Sequence, residues 1–288
     1  MALKSNGSTR KRAIGFGIIF VASTILATPL SFAQTLNDAR TNGVTIAIAN
    51  EPPLAQLDKD GAPTGAGPDL DRAILKEAGV TGLSGDVMDY GAMIPAVQSQ
   101  RATFASGGSL YIKPERCEAV AFSNPVMCGG VSFILPNALA DKVHSYKDIA
   151  ALGLRVGACG GCVMQKLAID AGVSEDKIII FPDGTSGVKL LTDNRIDVFS
   201  HDTTAGFDLY RRLADPAKYK YVRLTDGPMD CYGAAFNKNN AELRDAYNDG
   251  LKKIRASGKY TEILKKYGLE EAAFGTDTMT TEKLCTPH

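Results

Sequence analysis

Arg116 stands in the stretch Pro114-Glu115-Arg116-Cys117, between a proline turn and a cysteine, and Cys128 follows shortly after. A guanidinium is a planar fork of donors that grips a carboxylate through two parallel charge-assisted hydrogen bonds, so this arginine is suited to hold an anionic head group. Its ordinary alternative is a solvated arginine in a charged helical turn. Just upstream, Gly107-Gly108-Ser109 offers backbone that a ligand can approach closely, with N–H groups able to point at an anion. A second cluster, Cys159-Gly160-Gly161-Cys162, has the spacing of a redox pair or of half a zinc site, and it lies between a predicted strand and a predicted helix. No second CxxC or histidine pair stands at ligand spacing, so neither a metal nor any other cofactor is expected.

The cysteines are better read as disulfides, because their number is even and the chain carries an export address. Lys4, Arg10, Lys11 and Arg12 precede an apolar run over 13–30, and Ser31-Phe32-Ala33 places small residues at a cleavage point, so residues 1–33 read as a removed signal peptide. Pro29 and the small-residue exit disfavour a membrane anchor. Sequence proximity picks out Cys117 with Cys128, Cys159 with Cys162, and Cys231 with Cys285 among the pairings six cysteines allow. The expected location is the periplasm, as a monomer.

Charge narrows the partners. The signal carries four basic and no acidic residues, so 32 Lys+Arg less 4 leaves 28 against 32 Asp+Glu, about −4 for the mature chain. No basic stripe or basic-aromatic interleaving suggests nucleic acid. The 255 residues left when 33 are removed from 288 can bury one large or two modest cores, and two lobes are expected.

The elements that must position these residues alternate. A β-branched strand over 44–50 runs into Glu51-Pro52-Pro53, and a helix over 67–79 follows. An extended piece over 85–88, a helix over 91–100 and a Ser- and Gly-rich, flexible strand-to-loop passage over 103–110 lead to the arginine motif and a strand over 130–135. A second cycle has strands over 154–157, 177–181, 196–200 and 221–224 and helices over 162–171, 185–191 and 204–213. A strand over 231–237 and helices over 241–256 and 259–267 close the chain. The pattern predicts an α/β protein in which the middle segment is inserted into a split first lobe: residues 34–135 and 225–288 as lobe 1 and 136–224 as lobe 2, joined by two crossing strands, near 131–136 and near 224–232, with a cleft between.

The run Ala49-Asn50-Glu51-Pro52-Pro53, the helix after Gly67-Pro68-Asp69-Leu70-Asp71, the motif over 114–125, the stretch ending at Phe199 and the closing helices over 241–268 together resemble the periplasmic solute-binding proteins of polar amino acid ABC importers. The likeness spans nearly all of 43–268 and implies the type II periplasmic binding protein fold. Within that group, Glu51-Pro52-Pro53, Tyr90-Gly91 and Pro114-Glu115-Arg116-Cys117 resemble the ectoine and hydroxyectoine binding proteins most closely. The resemblance implies that Arg116 takes the ligand carboxylate, helped by the loop ending at Ser109. It also implies that Tyr90 and Tyr111 face a delocalised ring cation, and that Glu51 pairs with the ring nitrogens. Leu54 stands where a third aromatic is usual, and Gly160 and Gly161 occupy a second-lobe loop where a hydroxyl is usual. Asp202 matches the aspartate that α-amino acid binders use for the ligand's ammonium, and His201 beside it reads as a packing or hydrogen-bonding residue.

The expected function is therefore capture of a small zwitterion for an ABC permease and, through it, an ATPase. Binding of a polar α-amino acid is the first alternative. A periplasmic enzyme of the cyclohexadienyl dehydratase type is the second, with Glu51, Lys113 and Asp202 as acid-base groups, but no nucleophile-base pair stands at a recognisable spacing, so no catalytic residue is assigned. A sensor that hands its closed form to a receptor is a third.

Overall fold

The computed structural model describes residues 1–2, 35–224 and 229–287, so the expected signal peptide and part of the second expected crossing strand lie outside the described residues. Its frame is two five-stranded mixed sheets flanked by helices. In the first sheet the spatial order is Leu83–Val87, Val44–Ile48, Phe104–Ala105, Ala235–Phe236, Ala121–Phe122, with Val44–Ile48 parallel to both neighbours. In the second the order is Ile178–Phe181, Val156–Cys159, Val198–Asp202, Val131–Pro136, Tyr219–Arg223. There Val156–Cys159 is parallel to both neighbours, while Val131–Pro136 runs antiparallel to both of its own.

Apolar periodicity explains these elements. In Val44–Ile48 every residue but Thr45 is buried, as a strand covered on both faces requires. Helix Ala66–Glu77 buries Leu70, Ile74 and Leu75 against helix Ala241–Ala256, whose Leu243, Tyr247, Leu251 and Ile254 form the face its spacing predicts. The crossing is close enough that a Cβ on Gly250 would collide with the Ile74 carbonyl, so glycine is needed there. Phe104, Phe236 and Tyr247 pack together behind the first sheet, with ring centroids 4.8 to 5.8 Å apart. Behind the second, Phe181 stacks on Phe199 at 5.1 Å.

Three details depart from the sequence reading. The strand Val131–Pro136, placed at the end of the first lobe, is an inner strand of the second sheet. The passage between the sheets is a short antiparallel ribbon, Met127–Gly129 against Asp230–Tyr232, so the first crossing comes earlier than expected while the second falls at the end of its expected range. The strand expected over 231–237 is broken at Gly233, which lets Asp230–Tyr232 serve the ribbon and Ala235–Phe236 join the first sheet.

The disulfide pairing is the third. Cys159 joins Cys162 as expected, but Cys117 joins Cys285 and Cys128 joins Cys231. The reason is topological: Cys128 and Cys231 lie directly opposite in the ribbon, and the closing helix Thr281–Cys285 packs on the short helix Pro114–Cys117. Nearness along the chain is overridden by strand Ala121–Phe122, which carries the chain away from Cys117 before it reaches Cys128. Among the described residues no helix is long and apolar enough to cross a membrane.

Candidate functional site

Chemistry collects at the carboxyl ends of the parallel strands, where open α/β sheets place their ligands. From the first sheet, the loop after Val44–Ile48 carries Glu51 and the loop after Phe104–Ala105 carries Ser109 and Tyr111. Tyr90 opens helix Tyr90–Gln98, and Arg116 sits in the helical turn Pro114–Cys117, with proline at its first position. From the second sheet, Val156–Cys159 leads into the Cys-Gly-Gly-Cys turn, and Val198–Asp202 ends in His201 and Asp202.

Tyr90, Ser109, Tyr111, Arg116, Cys159, Cys162, Val163, Met164, His201, Asp202 and Tyr232 enclose one space of about 20 Å³. That is near the room one water needs, so a larger guest enters only when the two sheets separate or the lining shifts. Arg116 is oriented by carbonyls from both sides: Nη1 donates to Tyr111 O at 2.9 Å and Nη2 to Gly161 O at 3.1 Å. The fork has five N–H donors, more than these two acceptors use, and neither acceptor neutralises it. Burial lowers the pKa of Arg116, with Glu115 and Asp230 opposing, and it remains a cation. Ser109 Oγ is buried with no hydrogen-bond partner, which costs free energy unless a guest supplies one.

Aromatic rings line the same side as Arg116. Tyr111 and Tyr232 stack with centroids 4.1 Å apart, and their backbones pair in an isolated antiparallel bridge. Tyr90 donates its hydroxyl toward Glu51 Oε2 at 3.4 Å, and Tyr111 toward Gly130 O at 3.3 Å. Burial first, then neighbouring acidic groups, raise all three phenols well above their usual range, so they are neutral rings.

Glu51, His201 and Asp202 are each almost wholly buried, at 2, 2 and 3% exposure. His201 Nδ1 lies 2.7 Å from Asp202 Oδ2, and its Nε2 lies 3.1 Å from Glu51 Oε2, close enough for an ion pair but off the direction of a good hydrogen bond. Burial alone would lower the imidazole pKa; the Glu51 charge and the Asp202 hydrogen bond override it and raise it to about 10. Asp202 also caps helix Thr203–Arg211, its Oδ1 accepting from Thr204 N and Ala205 N at 2.8 and 2.9 Å.

The loop before Arg116 is fastened from below. Asp71, fully buried, accepts from Ser106 Oγ, from Gly107 N at 3.2 Å and from Tyr247 Oη at 2.6 Å. The passage over 103–110 expected to be flexible is thereby anchored at Ser106 and Gly107, two residues short of Ser109. Burial pushes the Asp71 carboxyl up to about 6, against the lowering effect of those donors. Lys113, beside Arg116, pairs with the buried Asp230 of the ribbon.

Of the residues singled out in the sequence, Tyr90, Ser109, Tyr111, Arg116, Asp202, Cys159 and Cys162 meet around one space, and Glu51 touches it through Tyr90 and His201. Gly161 contributes a carbonyl to Arg116 and abuts the helix start of the other side: a Cβ there would lie 2.8 Å from Gly91 Cα. Gly160 borders an outer groove with Asp89, Gly91 and Ala92 rather than this space. Leu54 points into the core, 2% exposed, and does not line it. Sequence reasoning does not single out Tyr232, Val163 or Met164; pairing Cys231 with Cys128 would flag Tyr232, since it sets that strand beside the arginine loop.

Comparison with known proteins bears on the family and the fold. Residues 44–270 match the model of bacterial extracellular solute-binding proteins, family 3. A probable amino-acid ABC transporter periplasmic-binding protein of Sinorhizobium fredii is 29% identical over 274 residues, covering 91% of this chain and 90% of that one. Among solved structures, EhuB in complex with hydroxyectoine superposes with a TM-score of 0.82 at 39% identity, covering 88% of this chain and 98% of EhuB. An ancestral arginine-binding protein bound to arginine gives 0.67 at 28% identity, covering 78% of this chain and 97% of that one. The two sheet-containing lobes are those of the type II periplasmic binding protein fold, and the chain belongs to the bacterial extracellular solute-binding proteins, family 3.

Proposed function

We propose that this protein is exported to the periplasm and captures a small zwitterion of the ectoine or hydroxyectoine kind, which it delivers to an ABC permease. The observation that carries this reading is the convergence of Arg116, the unpartnered Ser109 hydroxyl and the three rings of Tyr90, Tyr111 and Tyr232 on one enclosed space. A carboxylate satisfies the arginine fork and the serine hydroxyl at once. A ring amidinium suits the tyrosine faces, each such contact being worth about 0.5 to 2 kcal/mol, with Glu51 behind Tyr90 to complement its charge. The likeness to EhuB supports the same ligand class.

On this reading the first lobe comprises residues 35–129 and 230–287, the second 130–224, and the ribbon is their hinge. The ligand favours the closed form by touching both faces, and the permease reads that form. Asp202 is a weak partner for a ligand ammonium, because its oxygens already serve His201 and the helix N-terminus. Binding without turnover is the assigned activity.

Calorimetric titration tests the reading with ectoine, hydroxyectoine, glycine betaine, proline and the common amino acids. One-to-one binding of ectoine or hydroxyectoine ahead of the rest is expected. Binding of α-amino acids alone would replace the ligand class, and binding of no zwitterion would overturn the reading.

A further inference from the structure

Two carboxylates from opposite faces of the cleft, Glu51 and Asp202, are separated by the imidazole of His201. The ring is fixed: it lies 2% exposed, near-parallel to Phe199 and Phe181 with centroids 5.5 and 6.2 Å away. We infer that His201 is a specificity-determining residue, a built-in cation held between Glu51 and Asp202 that restricts the cleft to ligands of net charge zero.

The inference rests on the proposed zwitterion reading and deepens it. The charged side chains at the enclosed space are Arg116 and His201 as cations and Glu51 and Asp202 as anions, which sum to zero. Further out, Lys113 and Asp230 pair with each other and cancel, while Glu115, whose charge reaches Arg116, is exposed on an outer groove shared with Lys166, where water screens it. A zwitterion preserves the balance when the lobes close. A ligand with a second cationic group would bring an unmatched charge beside an imidazolium in a space shut off from water, where an unpaired charge is costly.

One contact opposes a protonated Nδ1: the Asp202 backbone N–H lies 2.9 Å from it and would favour a bare nitrogen. The carboxylate oxygen at 2.7 Å decides the matter, because two groups that only accept, a bare nitrogen and a carboxylate, repel at that distance, and charge attraction exceeds a single peptide dipole. Glu51 at the far nitrogen adds a second negative charge in the same direction.

The test compares wild type with His201→Gln, titrating each with ectoine and with L-arginine. Wild type is expected to prefer ectoine by at least about 100-fold, and His201→Gln, whose site sums to −1, to reduce that preference by at least about tenfold. An unchanged preference in a variant that melts cooperatively would overturn the inference. Failure of wild type to bind any zwitterion would instead overturn the ligand reading.

Should His201→Gln not fold, the protein itself supplies the readout. The chain has three histidines, and with His144 and His288 changed to glutamine the 15N spectrum reports His201 alone. A doubly protonated imidazole at pH 7.5 is expected, and a neutral tautomer would contradict the inference whatever the ligand proves to be.

Discussion

On the first face of the cleft, Arg116, Tyr111 and Tyr232 sit on loops and a ribbon fastened by disulfides between cysteines 168 and 103 residues apart, and Ser109 lies on a loop anchored by Asp71. On the second face, His201 and Asp202 end an inner strand and cap a helix, and the neighbouring turn is closed by a disulfide spanning only 3 residues. The first face is irregular backbone that distant parts of the chain must hold in place. The second is regular backbone that holds itself, with a covalent link that shapes one turn. On the proposed reading the first is the gripping surface and the second the lid that closes on it, and the contrast can be broken one face at a time.

The largest effect is expected on the first face. Arg116→Ala should weaken binding of the preferred zwitterion by about 100-fold to 1,000-fold, measured by calorimetry, because a carboxylate is left buried without its cation. Replacing Cys117 and Cys285 by serine should lower unfolding free energy by about 2 to 4 kcal/mol in denaturant melts, since a long loop is released in the unfolded chain. Serines at Cys159 and Cys162 should cost far less stability, as the loop closed there is short, yet alter affinity, because both residues line the enclosed space. Similar stability losses from both pairs would remove the contrast between the faces.

A smaller change sharpens it from the lid. Gly161→Ala puts a Cβ 2.8 Å from Gly91 Cα at a residue with φ of +74°, so the lobes are held apart; binding should weaken roughly tenfold, and the strain of a side chain at that φ should lower the melting temperature by only about 2 to 4 °C.

The smallest effect concerns the anchor under the first face. Asp71 has its folded pKa raised to about 6 from 3.8, so the folded state holds this proton more tightly than the unfolded state. Its contribution to stability therefore grows as pH falls through 6 and is lost as pH rises through it, by about 1 kcal/mol between pH 5 and pH 7.5. Denaturant melts of wild type and Asp71→Asn across that range should differ in slope in this sense, and parallel curves would contradict it.

Much of this was legible in the sequence because it is local. The helix face of Leu243, Tyr247, Leu251 and Ile254 and the strand Val44–Ile48 follow from spacing alone. Arg116, Tyr90 and Tyr111 sit in recognisable short motifs, in a helical turn, at a helix start and in a loop. What was not legible depends on three-dimensional pairing. The partner of Cys117 lies in the closing helix and that of Cys128 across the ribbon, so nearness along the chain pointed to the wrong bonds, and Tyr232 was hidden with them. Asp202 has the residue type of a ligand contact, but its neighbours turn it toward capping and toward His201, a choice made by geometry that residue type does not reveal. Leu54 fell to the core for the same reason: a loop position tells little about which way a side chain faces.

The most direct measurement is a crystal structure of the protein with ectoine bound. The ligand carboxylate should lie within hydrogen-bonding reach of the Arg116 guanidinium and the Ser109 hydroxyl, with its ring among Tyr90, Tyr111 and Tyr232. A ligand seated elsewhere, or one whose carboxylate avoids Arg116, would contradict the account.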